Sequence, residues 1–159
     1  MEKEIIIRDV KINDFDQVHR LLMQVHILHA KERSDIYKDT DPLTIEEFKK
    51  EILNEHNIYL VAEFENEIVG ICFSKIKDVL NNSIMKDRRI LHIEDICVDE
   101  NKRKKGIGRK LYNELKKRAK EIKADSIELM VWKFNVDAIK FYENLGMNIK
   151  NLKFEQKIR

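Results

Sequence analysis

The chain has 159 residues, 43% hydrophobic and 38% charged, with 31 Lys and Arg against 29 Asp and Glu. That length suits one domain able to bury roughly 70% of the surface its unfolded chain exposes, and apolar runs from end to end exclude wholesale disorder. Four Gly and one Pro leave no room for a linker or low-complexity tail, and no apolar run approaches the ~20 residues of a membrane span. Cys72 and Cys97 lack a second Cys or His at ligand spacing, so they make neither a disulfide framework nor a zinc site. Met1-Glu2-Lys3-Glu4 is not a signal-peptide start. A single cytoplasmic domain over residues 1–159, with no metal and no membrane partner, is the expectation.

Ile5-Ile6-Ile7 opens as a short buried strand. Asn13 offers an N-cap, and Phe15, Val18, Leu21, Leu22, Val25 and Leu28 follow at helical spacing. After a polar loop at 34–42, Thr44 and Glu47 read as a capping box, with Leu43 and Phe48 as its staple and a helix running to about Asn54. Residues 57–64 and 67–77 read as a hairpin about Glu65-Asn66. A third strand is expected at 89–98, followed by a Lys/Arg loop ending in Gly106-Ile107-Gly108. The helix behind it carries the stripe Ile107, Leu111, Leu115, Ala119 and Ile122. Ile127–Trp132 reads as a strand. Asn135 caps a helix bearing Ala138, Ile139, Tyr142 and Leu145, with Gly146 at its C′ position. Residues 147–158 read as a last strand or hairpin. The order β-α-α-β-β-β-α-β-α-β is that of an α/β or α+β domain.

Charge is unevenly placed. Residues 102–123 hold eleven Lys and Arg against two acids, a local balance of +9, so the rest of the chain sums to −7. Such a concentration suits a compact polyanion held at one place better than a broad nucleic-acid surface. Its sharpest part, Arg103-Lys104-Lys105-Gly106-Ile107-Gly108, lies between a strong strand and a strong helix. Glycines there let backbone approach a phosphate, and the first helical turn leaves N–H groups to bind it. The same pair also suits an ordinary strand–helix turn.

The loop resembles the acetyl-CoA motif of the GNAT superfamily of N-acetyltransferases, Gln/Arg-x-x-Gly-x-Gly/Ala, at Arg103, Gly106 and Gly108. The strand Ile93-Glu94-Asp95-Ile96-Cys97-Val98 just before it is similar to the family's, as is the strand within 126–132. So is Asn135-x-x-Ala138-Ile139-x-Phe141-Tyr142-x-x-x-Gly146-Met147. The detailed resemblance spans about residues 89–150. Glu100, Lys102 and Lys104 replace the loop's common Pro, Tyr and Gly.

The resemblance implies a central mixed, mostly antiparallel twisted sheet of about six to seven strands flanked by about four helices. Residues 1–88 form mostly the acceptor side and 89–150 the acetyl-CoA-binding core. It implies acetyl-CoA as co-substrate, with its pantetheine arm between the strands at 89–98 and 126–132, along Ile96, Cys97 and Val98. The pyrophosphate meets Arg103, Lys104, Lys105, Gly106, Ile107, Gly108 and Arg109, and Asn135 assists. An N–H near Ile96 polarises the thioester oxygen. An alkylamine of pKa near ~10.4 is almost wholly protonated at neutral pH, so a base is needed, and Glu94 matches a carboxylate used this way. Tyr142 matches the tyrosine that protonates the departing thiolate. Many relatives dimerise through their last strands or early helices, so a homodimer is expected by analogy.

Plainer readings stand beside these. Glu94 could pair a cation such as Arg89, and Tyr142 could be core. Asp95 reads as structural, on the face opposite Glu94 unless the strand bulges. His19, His26 and His29 share one helix face without a carboxylate or Cys to complete a metal set. His92 reads as a half-buried strand residue, and Trp132 and Phe134 as core. The leading reading is direct acetyl transfer to a primary amine: a polyamine or diamine, favoured by Ile-Glu-Asp at 93–95 and by thirteen acids against nine bases in residues 1–56, or a peptide N-terminus or lysine. The alternatives are a non-catalytic acyl-CoA-binding regulatory module and a nucleic-acid-binding domain. The last is disfavoured, since only Tyr112 interleaves the basic residues.

Overall fold

Apolar runs pair in the order in which they occur. In the computed structural model, which describes residues 3–103 and 105–159, five strands lie side by side in chain order. They are β1 (Ile6–Asp9), β2 (Asn57–Phe64), β3 (Glu67–Val79), β4 (Arg88–Val98) and β5 (Ser126–Leu129). The first three junctions are antiparallel and β4–β5 is parallel. Glu65 and Asn66 join β2 to β3 with φ of 52° and 67°, the two left-handed residues that a tight hairpin of this twist requires.

Helices α1 (Phe15–Glu32) and α2 (Ile45–Ile52) cover one face of the sheet. Helix α3 (Ile107–Glu121) covers the other, and α4 (Val136–Asn144) leans on its first turn. Because both faces are covered, successive residues of β2 serve opposite layers. Leu60 and Ala62 pack with Leu111 and Leu115 of α3, while Val61 packs with Val18, Leu21 and Phe48.

The end signals act as their chemistry requires. Thr44 Oγ1 accepts from the Glu47 N–H at 3.2 Å, and Glu47 Oε2 accepts from the Thr44 N–H at 3.1 Å. Helix α4 ends at Gly146, φ 91°, where the Met147 N–H reaches the Tyr142 carbonyl at 3.1 Å and the Gly146 N–H that of Glu143 at 2.9 Å. Those are the paired bonds of a Schellman end.

Other expectations change. Helix α1 starts from Asp14, not Asn13. Asp14 is 6% exposed and takes a two-pronged bond from Arg8 at 2.8 and 2.9 Å plus the Lys11 N–H at 2.7 Å, so the ion pair fixes where the helix begins. Strand β5 stops at Leu129 rather than Trp132. The described residues form five strands, not six or seven, because 147–159 run without a strand partner in this chain.

Candidate functional site

The site is built around an irregularity in β4. Ile93 lies opposite Ser74 and Asp95 opposite Phe73, which leaves Glu94 without a partner in the register. This is a β-bulge: one extra residue bends the strand and re-aims side chains. In regular pleating Glu94 and Asp95 would face opposite ways. Here Asp95 takes the place opposite Phe73, on the α1–α2 face, and Glu94 reaches Lys77 Nζ at 3.8 Å. Arg89, the other cation considered for Glu94, is engaged by Asp78 at 2.8 Å.

Burial, with the Glu94 charge added to it, pushes the Asp95 carboxyl up to about 6. The sequence reads Asp95 as structural, on the face opposite Glu94 unless the strand bulges; the bulge is present and sets the two carboxylates beside one another in the middle of β4. His92, further back on β4, is half-buried, and burial lowers its pKa, with Lys77 acting in the same direction.

Beyond the bulge the sheet opens. Pairing of β4 with β5 runs from Ile90–Ser126 to Ile93–Leu129 and ends there, while β4 continues to Val98. Among the described residues, no strand therefore pairs with Ile96, Cys97 and Val98 on the β5 side. The Cys97 side chain does not face this opening. It packs against α1 with its sulfur 3.6 Å from the Leu21 carbonyl, and burial pushes the thiol up to about 11, so only its backbone is offered to a ligand.

The strand leads into the first turn of α3. Gly106 stands at the N-cap with φ 75°, a left-handed conformation that glycine adopts freely. No side chain among the described residues caps the turn, so the amides of Ile107, Gly108 and Arg109 stay available. Arg103 Nε donates to the Val98 carbonyl at 3.3 Å, and Arg109 Nη2 to the Asn144 carbonyl at 3.1 Å. Lys105 is exposed; Lys104, expected in the same set, lies outside the described residues. Free amides, cationic side chains and an unpaired strand fit an anionic ligand carrying an extended arm.

Gly108 has a cause the sequence did not reveal. A Cβ there would stand 2.8 Å from Phe141 Cζ, so the missing side chain is what lets α4 close on α3. Gly108→Ala is expected to cost about 1–3 kcal/mol, read as a lower urea midpoint. Adding Phe141→Leu should recover part of that loss, and strict additivity of the two changes would rule the contact out.

Tyr142 follows Phe141 on α4. Burial pushes its hydroxyl pKa up, and the next contributions come from Cys72, Asp95 and Cys97, so the phenol stands by the bulge and the opening. Asn135 spends its side-chain oxygen on the Ala138 N–H at 3.3 Å, capping the same helix.

An aromatic group flanks the far side. Trp132 Nε1 donates to Tyr37 Oη at 2.9 Å, and the Arg33 guanidinium lies 4.8 Å over the indole. His29 stacks on Tyr37 and meets Phe134 edge-on. Trp132 and Phe134 are only half-buried; they tie the segment after β5 to the loop after α1 instead of filling the core. The histidines of α1 hold that loop as well: His19 bonds Asp41 at 2.8 Å and His26 the Lys38 carbonyl at 2.9 Å. A surface hollow at Lys3, Ile6, Glu63 and Glu65, by the β2–β3 turn, shares no residue with this site.

The acetyltransferase (GNAT) family model matches residues 22–147. A crystal structure of a mutant BH1408 protein from Bacillus halodurans shares 33% identity, covers 97% of this chain and 99% of its own, and superposes with a TM-score of 0.94. At the level of fold alone, the chain is similar to glucosamine-6-phosphate N-acetyltransferase from Arabidopsis thaliana, with 22% identity, coverage of 99% and 100%, and a TM-score of 0.72. It is likewise similar to an aminoglycoside acetyltransferase from an uncultured soil metagenomic sample, with 20% identity, coverage of 98% and 97%, and a TM-score of 0.69.

Proposed function

Since the chain belongs to the acetyltransferase (GNAT) family, we propose that it moves the acetyl group of acetyl-CoA directly to a primary amine in the cytoplasm, as one domain. The observation that carries this reading is the coincidence of three features along and just after β4: the two-carboxylate bulge, the opening beyond Ile93, and the turn at the start of α3 that no described side chain caps. Residues 89–150 hold the co-substrate and residues 1–88 mostly shape the acceptor side. The backbone of Ile96, Cys97 and Val98 takes the pantetheine arm. Arg103, Lys104, Lys105, Gly106, Ile107, Gly108 and Arg109 take the pyrophosphate, and Asn135 supports the arm from α4.

Acetyl-CoA supplies an activated acetyl carbon. This chain's residues manage the protons. Glu94 accepts one from the acceptor ammonium, directly or through water, with the Asp95 carboxyl, raised to about 6 by burial and then by Glu94, beside it. The amine nitrogen then forms its bond to the acetyl carbon as the carbon–sulfur bond breaks; Tyr142 gives its phenolic proton to the departing thiolate, and the second proton that the nitrogen loses on becoming an amide returns through water to the Tyr142 phenolate. Burial that raises the phenol's pKa keeps that proton in place until then.

Two adjacent carboxylates favour a cationic acceptor, and a polyamine or diamine suits them best. A panel of polyamines, a lysine peptide, a peptide N-terminus and an aminoglycoside, read as free-CoA release, tests that choice; equal rates across the panel would defeat it.

Thermal-shift titration with acetyl-CoA tests the co-substrate. At a hundred times its Kd it should raise Tm by roughly 5–11 °C, corresponding to about 2.7 kcal/mol, with ATP and 3′-dephospho-CoA giving less. No shift at millimolar acetyl-CoA would sink the reading.

A further inference from the structure

Between the end of β4 at Val98 and the turn at Gly106 the sequence is Asp99-Glu100-Asn101-Lys102-Arg103-Lys104-Lys105. It offers no apolar side chain to bury, and its four consecutive cations repel one another. A segment of that kind keeps one path only where hydrogen bonds hold it. Helix α1 supplies them. Gln17, Arg20 and Gln24 fall at i, i+3 and i+7, on one face of that helix.

Arg20 Nη1 donates to Asp99 Oδ2 at 2.9 Å, and Gln24 Oε1 accepts from the Glu100 N–H at 3.3 Å. Asp99 is 6% exposed and uses its other oxygen too: Oδ1 takes the Asn101 N–H at 3.2 Å. Its backbone is tied on both sides, the N–H to the Val69 carbonyl at 2.9 Å and the carbonyl to the Lys102 N–H at 2.8 Å. Gln17 Oε1 takes the N–H of Ile68, the neighbour of Val69, at 2.7 Å. Burial acts to raise the Asp99 carboxyl, but the bonds from Arg20 and the Asn101 N–H outweigh it and hold its pKa below the ordinary value. A buried carboxylate is thus the point where α1, β3 and the loop meet. One residue before it, the Val98 carbonyl receives Arg103 Nε at 3.3 Å.

We propose, on the acetyl-CoA reading above, that Arg20, Gln24 and Asp99 are positioning residues for the co-substrate: they fix residues 99–103 and so aim Arg103 and the first turn of α3 at the pyrophosphate before it arrives. They act through the loop, by settling its path in advance instead of leaving that ordering to the ligand. Helix α1, on the acceptor side by its place in the chain, thereby also supports the co-substrate.

Calorimetric titration of the full chain with CoA at fixed salt tests this. Asp99→Asn removes a negative charge, so charge alone predicts tighter binding of such a polyanion. Positioning predicts the opposite, because Asn has one acceptor oxygen where Asp99 uses two; Kd should rise about tenfold. Arg20→Met should weaken CoA to a similar extent, and Arg20→Lys should restore part of the loss. The double variant Arg20→Met, Asp99→Asn keeps the wild-type net charge and should bind no worse than the weaker-binding single variant. In turnover the loss should fall on the KM for acetyl-CoA, with kcat within about twofold of wild type. Should Asp99→Asn fail to fold, Gln24→Leu, which strands no buried charge, carries the test with a Kd raised about threefold. Wild-type Kd in Asp99→Asn and Gln24→Leu overturns the proposal and leaves the acetyl-CoA reading standing. A wild type that binds no CoA overturns both.

Discussion

Glu94→Gln is expected to lower kcat/KM for the acceptor amine by about 10²- to 10⁴-fold at pH 7 and to leave the acetyl-CoA thermal shift unchanged. The reason is local. Glu94 is the residue that the bulge leaves without a register partner; its side chain is 36% exposed and only loosely paired, 3.8 Å from Lys77. Gln keeps the shape and removes the proton acceptor. A variant with wild-type turnover would reduce Glu94 to a partner for Lys77.

Asp95 adds a pH signature. Its carboxyl, raised to about 6 first by burial and then by Glu94, must ionise before the bulge can act at full strength. Wild-type kcat/KM should therefore fall as pH drops through about 6, and Asp95→Asn should move that limb downward. Stability runs the other way. A carboxyl whose folded pKa lies above its unfolded value of about 3.9 contributes stability that is fully present below ~3.9 and lost as pH rises through its folded pKa. Asp95→Asn is thus expected to stabilise the protein at pH 7, by roughly 1–3 kcal/mol. A fall in the urea midpoint at pH 7 would instead make Asp95 a structural carboxylate.

Tyr142→Phe should lower kcat by about 10²-fold or more and spare acetyl-CoA affinity. The ring remains to fill its place beside Phe141, 5.5 Å between centroids, and only the proton donor is lost. A thiolate then departs without a proton in place. If turnover depends on this donor, supplying a better leaving thiol should restore part of the rate, since a low-pKa thiolate needs no acid. Unchanged kcat would leave Tyr142 as packing for α4.

Much of this was legible in the order of residues, because the signals were local. The Thr44–Glu47 box, the Glu65-Asn66 turn and the end of α4 at Gly146 each involve groups within a few residues of one another. Propensity and hydrogen-bond reach determine them before any tertiary contact exists. The motif over Arg103, Gly106 and Gly108 likewise located the turn between strand and helix.

What only the tertiary structure decided depends on partners far apart in the chain. Whether Glu94 and Asp95 share a face turns on how β4 registers against Phe73 and Ser74 of β3, a slip of one residue that alternation along β4 alone cannot reveal. The need for glycine at 108 comes from Phe141, a helix away. Helix α1 starts where Arg8 holds Asp14, so an ion pair outranked the cap expected at Asn13. The last segment reads as a strand or hairpin in the sequence, yet among the described residues it pairs with no strand. Alternation determines which side chains share a face; pairing requires a second backbone, and that must come from tertiary or quaternary structure.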